Sequence, residues 1–469
     1  MAGMSGAATL VILPLIAAAL VYALRRFASL AALLAMALIA GMMVFIWLAP
    51  LDMTVMWVGR PVLLSEPVTW VGITYQFREG LRPFFSFLYL ITLITFLFAW
   101  RISQGRTFFS AGLIVLSLAS LAMMAIPPAL APISLAFMAC IAVFIVQSGR
   151  LGSTRGAFRQ LWLPLAAFPF FLTAYWLLVQ LPFNPDDPQP YQAAINLFGV
   201  GLILLLAPTP LHGPRVALGF DAPPLVAAFL QLIGEAVVLY LVRALTTNFI
   251  AIVDDFNLAR FLIIGGLLTI AWGGIAAMGQ RDVARLWGYA GLFNYGLLIL
   301  AVALGLVSSW VLVLMLFGAR TILILLGAMS LAILRQQAAS TELNQVQGLL
   351  GRLPWTSVGL MAAGLGLVGF PLTVGFASQW TLIQQIAVRD ARWLLIVLPA
   401  AILVALSYVR LLVTLVGTPV NTRAEREPTL AALLVALFVG LSAILGLVPQ
   451  LLNGPVMAVI TALSTLTGG

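Results

Sequence analysis

The sequence predicts an all-α polytopic membrane protein with about fourteen transmembrane helices. Composition is the first observation: 63% of the 469 residues are hydrophobic and 8% charged, and the mean hydropathy is +1.14. A soluble domain is nearer half apolar and a quarter charged. Second, apolar stretches of roughly 20 residues recur along the whole chain with short gaps, which leaves no room for a water-soluble domain. Third, the charges sort by gap, as they do when a chain weaves through a bilayer. Residues 1–469 are therefore read as a single transmembrane domain.

The apolar spans centre near Ala17, Ile39, Leu90, Leu116, Met138, Pro169, Leu202, Ala236, Leu267, Leu297, Leu323, Leu367, Leu403 and Gly440. Residues Met1 to Phe27 resemble a signal peptide only superficially, because the pair Arg25-Arg26 follows the apolar run and no charge precedes it. They are read as the first span. The longest polar connection, roughly Leu51 to Arg82, alternates loosely around Val55-Met56-Trp57-Val58, and an extracytoplasmic hairpin is expected there.

Fourteen arginines fall on alternate gaps that share one side: Arg25, Arg26, Arg101, Arg106, Arg150, Arg155, Arg159, Arg215, Arg281, Arg285, Arg335, Arg352, Arg423 and Arg426. The other side holds six, Arg60, Arg78, Arg82, Arg260, Arg389 and Arg392, beside acids such as Asp186, Asp187, Asp254 and Asp255. Fourteen against six meets the positive-inside rule. The arginine-rich side is expected to be cytoplasmic, both termini extracytoplasmic, and the location a bacterial inner membrane.

Several function classes are excluded by count. Cys140 is the single cysteine and His212 the single histidine, so internal disulfides, cysteine-held iron–sulfur clusters and a bis-histidine haem have no ligands. No cofactor or metal is expected in this chain, and redox centres would belong to partners. All 23 basic residues are arginine, which removes any mechanism that needs a titrating lysine. The net charge of +9 never forms a basic face, so no nucleic acid is expected; the partners are the lipid bilayer and other membrane subunits.

Two segments break the helical pattern. One is Ala207-Pro208-Thr209-Pro210-Leu211-His212-Gly213-Pro214, followed by Asp221-Ala222-Pro223-Pro224; the other runs from Val368 through Gly369, Pro371 and Gly375 to Phe376. Proline removes an amide donor and glycine loosens the helix, so each segment is a candidate interruption at membrane depth. For the first, a proline at a helix end is an equal alternative. Gly364-Leu365-Gly366-Leu367-Val368-Gly369 matches a nucleotide-loop pattern literally, but it lies inside an apolar span with no preceding strand and is read as helix packing.

Charges inside spans are few: Glu235, Arg243, Arg320 and Arg410. A central charge must face protein or water and find a partner. Glu235 is a candidate proton carrier, or else a neutral acid or half of an inert ion pair with Arg320. Arg243 and Arg410 read as helix-end anchors. His212 is either a structural residue or a relay. No nucleophile, catalytic carboxylate pair or phosphate loop can be assembled, so no autonomous active site is expected.

At these residues a family comes into view. Pro210-Leu211-His212, then Asp221-Ala222-Pro223-Pro224-Leu225-Val226, then Glu235 and Arg243, resembles the P-(F/L)-H-x-W-x-P stretch and its continuation in the antiporter-like subunits of respiratory complex I (NADH-quinone oxidoreductase) and the Mrp cation/proton antiporters. Gly274 to Ala290 is similar to that family's G-x-x-x-A-x-x-Q-x-D-(I/L)-K-R-L-L-A-Y-S stretch, and Gly369 to Trp380 to its G-L-P-P-L-x-G-F-x-x-K-W. The resemblance implies fourteen helices with two inverted five-helix repeats, about 105–250 and 255–420, each holding a broken helix, within a larger membrane complex. It also implies a buried line of lysines, histidines and one glutamate for protons. Here the family's lysines fall at Leu205, Glu235 and Gln379, its histidine at Asn294, and the span around Met138 carries no carboxylate.

Three readings follow. The chain is an antiporter-like subunit of a complex I-related or Mrp-like assembly, with a degenerate proton path and a scaffold or coupling role. Alternatively it conducts protons or ions with a partner in ion or substrate uptake, through Glu235, Arg320 and His212. The third reading is an unrelated stand-alone secondary transporter.

Overall fold

The computed structural model describes residues 4–57, 60–147, 155–181, 188–419 and 425–467. Asp186, Asp187, Arg150, Arg423 and Val58 lie outside the described residues. Among the described residues twelve helices are long and apolar enough to cross a membrane, and a shorter apolar helix covers Phe108–Met124.

The chain opens with a short strand β1 (Met4–Ser5) and the helices α1 (Gly6–Ala23) and α2 (Ala28–Leu48). The expected hairpin follows: β2 (Val55–Trp57) pairs antiparallel with β3 (Arg60–Leu63), and β1 adds to β3 in parallel. A second small sheet joins β4 (Val68–Trp70), β5 (Ile73–Tyr75) and β6 (Ala125–Ile126). Both sheets cap the bundle where the polar connection leaves it. α3 (Arg82–Arg101), α4 (Phe108–Met124), α5 (Ala131–Gln147) and α6 (Arg155–Gln180) complete the first part.

α7 (Gln189–Leu206) and α8 (Gly213–Asp221) are the two halves of one interrupted element, and α9 (Pro224–Asn248) returns beside them. Prolines open α7, α8 and α9, where a missing amide costs nothing because the first turn has no intrahelical acceptor. After a single turn, α10 (Ala251–Asp254), come α11 (Leu258–Met278), α12 (Val283–Gly305) and α13 (Val311–Ala338). The second interruption separates α14 (Pro354–Leu367) from α15 (Gly375–Asp390). α16 (Leu394–Val416), α17 (Thr429–Leu447) and α18 (Asn453–Thr467) close the chain.

Burial orders these helices from centre to rim. In α9 and α12 89% of the apolar window is buried, against 22% in α6, so α9 and α12 form the axis and α6 lies at the rim. α14 lacks a local cap at Leu353; instead Glu427 reaches across the fold to accept from the Trp355 and Thr356 amides at 3.1 and 3.0 Å and from the Thr356 hydroxyl at 2.8 Å. Arg410 donates to the carbonyls of Met278 and Gln280, anchoring the end of α11 as expected of a helix-end arginine. The glycine-rich run is packing: Gly364 of α14 lies flat under the buried Tyr408 ring of α16.

Both expected interruptions are present. α7 ends on Ala207 in the left-handed conformation, and Leu211 turns back to Pro208 before α8 starts. α14 ends in a Schellman turn, with the Gly369 amide on Gly366 O and the Phe370 amide on Leu365 O; Gly369 takes φ +83° and Pro371 follows. α15 then begins at Gly375 against the Gly366 carbonyl oxygen, so closely that a Cβ would collide with backbone. Gly375→Ala should lower stability by about 1–3 kcal/mol, the cost of overpacking a rigid contact. Reversible unfolding in mixed micelles measures it, and an unchanged midpoint would show that the halves are free to part.

Candidate functional site

The site starts from Glu235, near the middle of the 25-residue α9 and buried. A carboxylate at this depth needs compensation, and two arginines supply it. Arg320 of α13 makes a forked contact, Nε to Oε2 at 2.9 Å and Nη2 to Oε1 at 3.0 Å. Arg215 of α8 adds Nη1 to Oε1 at 2.8 Å. Gln231, one helical turn before Glu235 and so on the same face, donates to Oε1 at 3.2 Å. Both carboxylate oxygens are therefore engaged.

The bonds continue outward to each interruption. Arg320 Nη1 donates to Gly291 O at 2.8 Å and Asn294 Oδ1 at 3.1 Å, and Asn294 Nδ2 donates to Leu367 O, the last residue of α14, at 2.9 Å. Gln379 of α15 reaches the same carbonyl and that of Gly366, both at 3.2 Å. In the other direction Arg215 Nη2 donates to the Tyr295 hydroxyl at 2.6 Å, which donates to Leu206 O, the last residue of α7, at 2.7 Å. Thr269 of α11 accepts the Thr209 amide at 2.9 Å. Backbone groups freed by the interruptions are thus met by side chains, as a low-dielectric setting demands. One hydrogen-bonded chain joins the end of α7 to the end of α14 through Glu235.

The sequence-derived candidates divide on this geometry. Glu235 and Arg320 meet. Asn294 and Gln379 belong to the same chain, as side-chain donors to backbone carbonyls. Leu205 is apolar and buried in the wall of a cavity of about 80 Å³ that also touches Met138, Gln160, Arg215 and Glu235. Pro208 and Pro210 lie in the first interruption, Gly369 and Pro371 in the second, and Gly375 starts α15. His212 stands apart from the chain: its Nδ1 lies 3.2 Å from the Thr209 hydroxyl and its ring 6.0 Å from that of Trp272. Among the described residues no three His, Cys, Asp or Glu side chains gather as a metal site.

Arg215 corrects the charge sorting. It was assigned to a gap, but it sits on α8 and points at a buried carboxylate; removing it leaves thirteen arginines against six, which keeps the bias. The signal was legible, since Arg215 precedes the apolar run Val216-Ala217-Leu218-Gly219-Phe220 and a buried acid elsewhere wanted a partner. Tyr295 and Gln231 were missed because neither carries a charge.

A family model described as NADH:quinone oxidoreductase/Mrp antiporter, transmembrane region, matches residues 189–407, the stretch that holds both interruptions and the whole polar chain. Over that stretch, just under half of the chain, the sequence is similar to the antiporter-like family. NADH-quinone oxidoreductase subunit N of Chromohalobacter salexigens is 30% identical over 228 residues, 47% of this chain and 46% of that protein. This chain spans about half the length of the curated relatives it matches. In fold the likeness is longer. A chain of the membrane-bound sulfane sulfur reductase, an archaeal respiratory membrane complex, superposes with TM-score 0.79 over 98% of this chain and 99% of that one at 20% identity. A chain of the Mrp complex from Dietzia sp. gives 0.75 over 98% and 97% at 15% identity. The paired interruptions and the family match argue against a transporter of an unrelated family.

Removing one partner of a buried pair strands the other, whereas replacing all partners by apolar groups does not. Arg320→Leu should therefore cost about 3–5 kcal/mol, and the triple replacement Arg215→Leu, Glu235→Leu, Arg320→Leu less than that single change. Unfolding free energies in mixed micelles decide; a triple variant as damaged as the sum of its parts would show that the ion pairs themselves hold the helices.

Proposed function

We propose that this chain is an antiporter-like membrane subunit of a complex I-related or Mrp-like assembly, with scaffold or coupling work in place of proton pumping. The carrying observation is the state of Glu235: both its oxygens accept from guanidinium groups, and the neighbouring positions hold arginine, amide and leucine side chains. Guanidinium groups do not release protons in proteins, and amides do not titrate. A relay needs groups that alternate between protonated and deprotonated forms. The polar chain instead supports a strut that fixes two interrupted helices to each other, so that a shift at one is transmitted to the other.

The placement extends to organisation. The two inverted repeats fall near 105–250 and 255–420, with one interruption in each, and both termini lie on the extracytoplasmic side of a bacterial inner membrane. The partners are other membrane subunits, with any redox centre held by them and none by this chain.

A second reading, active conduction with a partner, is favoured by the cavity of about 80 Å³ beside Glu235, which has room for a few waters. Two experiments separate the readings. Mild-detergent isolation of the tagged native protein, with mass spectrometry of what co-migrates, is expected to recover further membrane subunits; a partner-free monomer would defeat assembly membership. In reconstituted vesicles Glu235→Gln should leave proton flux unchanged, and a flux that is present in the wild type and falls with this variant would establish conduction.

A further inference from the structure

The buried cluster is not electrically balanced. Arg215 and Arg320 bring two positive charges to the single carboxylate of Glu235, so these side chains sum to +1. The face of Tyr295 lies 3.5 Å from the Arg215 guanidinium and 5.4 Å from that of Arg320, which softens the excess without cancelling it. An excess charge in a low-dielectric interior is favourable only with a counter-charge or water beside it.

The cavity of about 80 Å³ adjoins this cluster. Arg215 and Glu235 are the only charged residues in its lining among the described residues, and Gln160 and Gln231 supply amides; Met138 and Leu205 form apolar wall. Two buried polar atoms of the lining have no protein partner among the described residues, Arg215 Nε and Gln160 Oε1. Both terminal nitrogens of Arg215 are committed, one to Glu235 and one to Tyr295, so Nε–H is a spare donor on a cation. The Gln160 amide presents oxygen or nitrogen by a half-turn about its last torsion.

We propose that this cavity binds a small monovalent anion of the halide class, held by Arg215 with amide donors from Gln160 and Gln231. One negative charge neutralises the cluster, whereas a divalent anion would overshoot it. The volume admits a halide with a few waters and leaves little room for a phosphate ester. Binding of this kind is independent of whether the chain conducts protons.

Charge balance gives the test a sign. Chloride-35 line broadening on the purified full chain should saturate with chloride, be displaced by bromide and ignore gluconate. Arg215→Gln makes the cluster neutral and should weaken binding by about tenfold or more, the loss of a charge-assisted hydrogen bond. Glu235→Gln raises the cluster to +2 and should tighten it. Gln160→Leu, away from the ion pairs, should weaken binding by a smaller factor and serves if the charge variants fail to fold. Broadening that does not saturate, that is the same in wild type and Arg215→Gln, that weakens in Glu235→Gln, or that is unmoved by Gln160→Leu would overturn the proposal.

Discussion

The polar interactions of the interior centre on one problem, the compensation of a buried carboxylate. Glu235 sits on one of the two most enclosed of the described spanning helices, and its two guanidinium partners come from α8 in the first part of the fold and α13 in the second. Neither arginine is positioned by its own helix alone. Arg215 is available because α7 stops at Leu206 and the chain restarts at Gly213, which turns the short α8 toward α9. Arg320 is held by Gly291 O and Asn294 as well as by the acid. The ion pairs thus depend on the interruptions, and the interruptions on the donors that the ion-pair network brings to their loose carbonyls.

The resemblance implies charges at positions that are apolar or neutral in this chain, whose own buried charges stand elsewhere. The wall that would hold an acid on α5 and a lysine on α7 is here Met138 and Leu205, while the acid stands on α9 and its cations on α8 and α13. Where the pattern has a titrating histidine and lysine near the second interruption, Asn294 and Gln379 supply neutral N–H donors to the same backbone region. These amides satisfy the Gly366 and Leu367 carbonyls and carry no titratable proton.

Much of this was legible in the sequence, and the limits have physical causes. Span length, the proline and glycine interruptions, the hairpin at Val55–Trp57 and the pairing of Glu235 with Arg320 follow from hydropathy and from the scarcity of charge inside spans. Arg215 was read as a topology marker because a guanidinium in the first turn of a helix looks the same in sequence whether it faces the surface or doubles inward. Tyr295 and Gln231 gave no signal, since neutral polar residues in apolar helices are common and only the third dimension shows which of them meet. His212 drew attention by chemistry, and the fold gave it a hydroxyl and an indole for neighbours.

The cap on α14 bears on how the protein is made. Its first-turn amides are satisfied by Glu427, a residue that lies beyond α15 and α16 in the chain. While the ribosome is still extending that later stretch, the start of α14 lacks this acceptor. The start of α14 therefore gains its side-chain cap only from a stretch made after α15 and α16, so this end of the helix is finished by a later part of the polypeptide.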